Sequence, residues 1–190
     1  CGSFIGMSST VLLKNYNQFI LASVIAGLIF VFAKNVLSGF GGKLGVIAFT
    51  NTIVAILVVN RKFLSNPPIT DLNTIVWIIL VGMIAASLSF YFNNHLNHGP
   101  VLASGIVGLT GGLLLPAFFP EIGDTLAIVA ICASFAGMST QTRFPHFILI
   151  MLVGILTGLL FILSTPVFGG AGGKLGTIAY SSVATVYGFT

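Results

Sequence analysis

The sequence predicts an all-α polytopic membrane protein of about seven spans built on an internal duplication, and three observations lead there. Hydrophobic residues make up 56% of the chain and charged residues 5%, whereas soluble domains carry about a quarter charged residues; mean hydropathy is +1.11. Apolar runs close to the ~20 residues that a helix needs to cross a bilayer follow one another with short polar breaks. Finally, Gly41-Gly42-Lys43-Leu44-Gly45, followed by Ile47-Ala48, recurs 131 positions later as Gly172-Gly173-Lys174-Leu175-Gly176, followed by Ile178-Ala179.

The same offset superposes Cys1, Ser3, Phe4, Gly6, Met7 and Ser8 on Cys132, Ser134, Phe135, Gly137, Met138 and Ser139. Leu21, Gly27, Leu28, Phe30, Val36 and Gly39 fall on Leu152, Gly158, Leu159, Phe161, Val167 and Gly170. The expected repeat copies are 1–59 and 132–190, joined by spans within 74–119, all in a single transmembrane domain over 1–190.

The elements follow in order. The copy of Cys1, Cys132, lies inside an apolar run over 125–138, so Cys1 is expected in mid-helix, with an N-terminal span preceding it. A lipid-modified terminus is the other reading of Cys1-Gly2-Ser3. A first span is predicted over 17–36, broken by Ser38-Gly39-Phe40-Gly41-Gly42, and a second over 43–59. Asn60-Arg61-Lys62 through Pro67-Pro68 to Asp71 is a surface loop, because consecutive prolines cannot continue a helix. A third span over 74–92 leaves through Asn93-Asn94-His95-Leu96-Asn97-His98-Gly99-Pro100. The fourth, 101–119, sets Gly105, Gly108, Gly111 and Gly112 along one face suited to close helix packing, and Pro116 and Pro120 close it. Spans over 125–139, 146–164 and 172–189 complete the chain; the first and last of these are short, hence tilted or only partly spanning.

Span 17–36 returns as 146–164 five spans later, so if each span crosses once, the copies have opposite orientations. That is an inverted repeat, whose substrate sites lie near the bilayer midplane at the repeat interface. A re-entrant span would make the repeat parallel instead. Lys14, Arg61, Lys62 and Lys174 on one face against Lys34, Lys43 and Arg143 on the other is a slight bias, and Arg61 with Lys62 puts the 60–71 loop in the cytoplasm.

Several functions are disfavoured. Asp71, Glu121 and Asp124 all sit in loops, whereas proton-coupled carriers and ion pumps keep ionisable groups inside the membrane. Without a phosphate loop, nucleophile elbow or Cys-x-x-Cys pair, neither an enzyme nor a cofactor is expected. The net charge of +4 comes from seven basic and three acidic residues, which suits lipid headgroups rather than nucleic acid. His95 and His98 are the nearest approach to a metal site, but they lack further ligands and read equally as a polar helix exit. The two cysteines read as inert membrane thiols.

The candidate solute site is therefore the duplicated motif and the polar step beyond it: Gly41, Gly42, Lys43, Gly45, Thr50 and Asn51 in one copy, and Gly172, Gly173, Lys174, Gly176, Ser181 and Ser182 in the other. Each lysine falls in the first turn of a helix, where it opposes the dipole, so a negative group is expected nearby. That group is a lipid phosphate reached by snorkelling, or a solute anion held by backbone N–H groups. The glycines keep their spacing while Phe40 becomes Ala171, so backbone geometry, positive φ or a close approach, is what the motif supplies. The polar step serves equally as interhelical hydrogen-bond partners. The function expected is a channel or transporter for a small anionic or neutral polar solute in the cell's inner (plasma) membrane. The competing expectation is a non-transporting integral-membrane subunit that packs on a partner protein or on copies of itself.

Overall fold

In a computed structural model of the chain, the structure describes residues 2–12, 16–33, 36, 38–58, 60 and 62–190. Cys1, Lys14, Lys34, Val59 and Arg61, which carry the expectations about the chain's start, the loop charges and the end of the second run, lie outside them. The described residues form α1 (Gly2–Gly6), α2 (Tyr16–Phe32), α3 (Lys43–Val58), α4 (Leu72–Asn94), α5 (Pro100–Phe118), α6 (Gly123–Ala136), α7 (Phe147–Ser164) and α8 (Lys174–Gly188). The one β-type pairing among them is an isolated antiparallel bridge between Leu64 and Gly169.

Three helices, α4, α5 and α7, are long and apolar enough to cross a membrane. The others are shorter: α2 has 17 residues, α3 16, α6 14 and α8 15. At 1.5 Å per residue, a helix of 14 or 15 residues reaches only ~21–23 Å, less than the ~30 Å of hydrocarbon.

Local chemistry sets the boundaries. Asp71 caps α4, its Oδ2 accepting from Thr74 N–H at 2.8 Å and from the Thr74 hydroxyl at 2.6 Å. Gly99 turns the chain at φ 82°, and Pro100 opens α5, where a missing N–H costs nothing. Pro116 does not end α5 as expected; the helix runs on to Phe118, because a proline this close to the end disturbs only the last turn.

α4 lies against α7 and α6, and α5 against α6. Small residues permit the α4–α7 approach: a Cβ on Gly82 would stand 2.8 Å from the Gly154 carbonyl oxygen, one on Gly154 2.6 Å from the Met83 Cα, and one on Gly158 3.1 Å from the Ile79 Cα. Gly154 and Gly158 thus form a small-xxx-small face of the kind that packs helices in lipid, where apolar burial gives no drive. The glycine stripe of α5 is used by halves. Gly108 and Gly111 face Ile131 and Ala130 of α6, but nothing lies within 4 Å of a Cβ at Gly105 or Gly112.

Candidate functional site

The duplicated motif opens α3 and α8, and these two starts cross. A Cβ added to Gly42 would strike the Gly176 carbonyl and come 2.6 Å from Tyr180 N; one on Gly176 would come 2.6 Å from the Gly45 Cα; one on Gly173 would meet Gly45 O at 2.5 Å and Phe49 N at 2.6 Å. Along this contact, numbers rise on one helix as they fall on the other, so α3 and α8 run antiparallel with their first turns overlapped. Beyond the overlap each continues alone, α3 to Val58 and α8 to Gly188. Gly42 and Gly173 take φ of 81° and 85°, a region that a Cβ makes costly.

Each start docks on the far end of the other part of the chain. Gly41 N–H donates to Ser139 Oγ at 3.1 Å beyond the end of α6, and Gly172 N–H donates to Ser8 Oγ at 3.0 Å beyond the end of α1. Thr140 N–H donates to Gly39 O at 3.1 Å, and Ser9 N–H to Gly170 O at 2.8 Å. Every one of these bonds has its counterpart at the offset of 131. Two contacts join residues that are each other's counterparts: Gly45 with Gly176, and the rings of Phe4 and Phe135, whose centroids are 5.1 Å apart.

Both lysines fold back onto backbone carbonyls. Lys43 Nζ donates to Ala33 O at 2.5 Å and also to Val36 O; Lys174 Nζ donates to Ser164 O at 2.6 Å and Val167 O at 2.7 Å. Ala33 O and Ser164 O each also accept a backbone N–H, from Val36 and Val167 at 3.1 Å; a lysine reaching back adds a second donor and meets the negative end of the helix dipole.

Lys174 also lines two cavities. One, of about 370 Å³, lies between α1, α6, α7 and the start of α8, and reaches Asn66 of the loop before α4. The other, of about 350 Å³, lies between α3, α7 and α8 and includes Thr177 and Ser181. The remaining polar residues point elsewhere. Asn51 and Ser182 are buried and donate to the carbonyls of Ile47 and Ile178 on their own helices, at 2.7 and 3.0 Å. Thr50 is exposed on α3, and Asn51 borders a separate cavity of about 110 Å³ between α2 and α3. The structure thus brings Gly41, Gly42, Lys43, Gly45, Gly172, Gly173, Lys174 and Gly176 together, sets Ser181 one turn away, and leaves Thr50, Asn51 and Ser182 out.

His95 and His98 are exposed, and His95 stacks on Tyr91 at 5.2 Å. Among the described residues no three His, Cys, Asp or Glu side chains are grouped to hold a metal. The Cys132 thiol is buried and donates to Leu175 O at 3.2 Å.

Two residues matter here that the sequence did not single out for it. Asn94 donates to Ser139 O at 3.1 Å and accepts from Gln141 N–H at 3.0 Å, holding the turn on which Gly41 docks. Arg143 sits over the rings of Phe40 and Tyr187 at 5.1 and 5.4 Å and donates to the Tyr187 hydroxyl at 2.9 Å. Their sole sequence signal was polarity at a helix exit and in a loop. No protein-family model, curated protein or solved structure matches this chain, so its function rests on this crossing of two helix starts.

Proposed function

We propose that the chain is a channel or transporter for a small anionic or neutral polar solute in the inner (plasma) membrane, with repeats 1–59 and 132–190 related by a two-fold axis in the membrane plane. The observation that carries this reading is the antiparallel crossing of α3 and α8 at their N-terminal turns. Residues that touch their own counterparts, Gly45 with Gly176 and Phe4 with Phe135, are what a two-fold axis between the copies requires. An axis that reverses the direction of membrane-crossing helices lies in the membrane plane, which supports the inverted arrangement. Helices that start at mid-depth from opposite faces present their N-terminal dipoles to a solute there. Lys43 and Lys174 add positive charge beside those starts, while lipid surrounds the outer faces.

Two measurements test the proposal. Accessibility tags inserted beyond the far ends of the two crossing helices, after Asn66 and after Phe189, should report opposite sides of the membrane; the same side would overturn the in-plane axis. Purified chain in liposomes should pass small anions or small neutral polar solutes, and absence of flux for both classes would overturn the transport reading.

A second reading has its own observation. The open glycine positions of α5, Gly105 and Gly112, leave a small-residue face without a partner among the described residues, which suits packing against another membrane helix. A non-transporting subunit would copurify in mild detergent with a stoichiometric partner or as a homo-oligomer, and would pass no solute alone.

A further inference from the structure

Two cavities lie along the seam between α4 and α5, away from the crossing. One, of about 310 Å³, sits between the middles of the two helices over Ala130 of α6. The other, of about 420 Å³, sits where α4 begins and α5 ends. Trp77 and Phe119 line both, with ring centroids 4.7 Å apart, so the two cavities form one groove with an aromatic pair at the junction. We propose that this groove binds an amphiphilic organic cation, an ammonium group carrying one apolar chain. The site does not rest on the transport reading.

The sequence builds the inner part of the groove. Trp77, Val81, Ile84 and Leu88 recur at spacings of three and four along one face of α4, a stripe ~16 Å long at 1.5 Å per residue. The small side chains of Ala85 and Ala130, with Gly111, leave the floor unfilled. Ile84, Leu88 and Leu114 on the rim are exposed, and α4 and α5 are both long enough to cross a membrane, so the groove opens sideways toward lipid. In lipid an apolar chain gains little by entering an apolar groove, so the head at the mouth decides what is held.

The mouth selects a cation. Asp71 caps α4, and Thr74, which donates to its carboxylate, lines the same mouth, as does Glu121. Two of the chain's three carboxylates thus border this cavity in a chain of net charge +4, and among the described residues no Lys, Arg or His lines either part of the groove. The rings of Trp77 and Phe119 beside them offer negative π-faces to an ammonium, and tryptophan favours the headgroup level of a bilayer, where the start of a spanning helix lies. An anionic head would meet two carboxylates, a zwitterionic one would bring its phosphate against them, and a neutral one would leave them without a counter-charge. A monocation on an apolar chain matches both parts of the groove.

The test uses the full chain in a nonionic detergent, titrated separately with octyltrimethylammonium, octanol, tetramethylammonium and octyl sulfate. Calorimetry reads affinity, and the fluorescence of Trp77, the single tryptophan of the chain, reports whether the ligand sits in the groove. Octyltrimethylammonium should bind roughly tenfold or more tightly than octanol or octyl sulfate, which lack the cation, and than tetramethylammonium, which lacks the chain. Glu121→Gln, an exposed change between α5 and α6, should weaken octyltrimethylammonium roughly threefold at low salt and leave octanol unchanged. Thr110→Phe, at an exposed position bordering the inner cavity, should fill the place of the chain and weaken octyltrimethylammonium roughly tenfold while leaving tetramethylammonium unchanged. Octanol or octyl sulfate binding as tightly as the cation, a Trp77 signal unmoved by the cation, or undiminished cation binding in either variant would each overturn the proposal. So would a dimer in the same detergent whose groove is closed to all four probes, which would assign the groove to a second copy of the chain.

Discussion

The corner at Gly39–Lys43 and the corner at Gly170–Lys174 have the same backbone and different contents. Both have a first glycine at positive φ, 87° and 77°, a serine hydroxyl on the third residue's N–H, and a lysine folded back onto two carbonyls. Within that frame the first corner holds Phe40 under the Arg143 guanidinium and against Tyr187, while the second holds Ala171 beside fully buried Leu12 and Ile56. Leu12 stands at the position that is Arg143 in the other copy. The difference teaches that glycines and a serine specify a helix start, while the residue between the glycines is free to differ.

Mutations at the shared frame should break both corners alike, and these are the largest effects. Gly45→Ala and Gly176→Ala each drive a Cβ into the backbone of the other helix, so each should lose about 3 kcal/mol or more, read as melting temperature in detergent. Gly42→Ala and Gly173→Ala add the cost of a left-handed φ, about 1–2 kcal/mol, to a comparable clash. Tolerance at either corner alone would end the equivalence.

Next come the serines. Ser139→Ala and Ser8→Ala each strand a buried glycine N–H, and each should cost about 1–3 kcal/mol, with the two losses similar. Arg143→Leu, which copies the residue of the other corner, removes a partly exposed cation from two rings and should cost only about 0.5–1 kcal/mol. A loss as large as that of the glycines would make the contents, rather than the frame, decisive.

The smallest effect lies outside both corners and serves as their control. Hydrogen bonds from the Thr74 hydroxyl and then the Thr74 N–H hold the exposed Asp71 carboxyl below its ordinary 3.8. A carboxyl lowered in the folded state stabilises above its unfolded value and ceases to do so as pH falls through its folded value. Wild type should therefore melt slightly above Asp71→Asn at neutral pH, and that margin should vanish on acidification below pH 3.8. A margin that persists in strong acid would show that the ionised cap is not its source.

The helical, apolar character of the chain and the special backbone of Gly42 and Gly173 were legible because composition and a motif written twice state them directly. The partners were not. Pairing Gly41 with Ser139 and Gly172 with Ser8 requires knowing that each start crosses to the other copy, which no local pattern encodes. The carbonyls that hold the lysines were not legible either, because the chain turns back ten residues to bring Ala33 and Ser164 within reach, and hydropathy does not register a turn. Asn51 and Ser182 read as a lining because side chains that bond to their own helix look, in sequence, like side chains free to bond a solute. Hydropathy windows find apolar runs but not helix starts, so α6 and α8 are shorter than the runs that suggested them, and among the described residues three helices have full spanning length.

The exchange of partners bears on how such a chain is made. The bond that seats the start of α3 joins residues 98 apart in sequence, and the one that seats the start of α8 joins residues 164 apart. When a ribosome has delivered residues 1–59 to the insertion machinery, the docking surface for Gly41 has not been synthesised, and Ser8 waits for almost the last helix to emerge. The serine and glycine of the first copy must therefore stay without their partners until α6 and α8 have emerged. The same topology makes the protein a natural candidate for complementation: fragments divided at the Pro67-Pro68 loop and expressed together hold one partner of each serine–glycine bond and can finish each other.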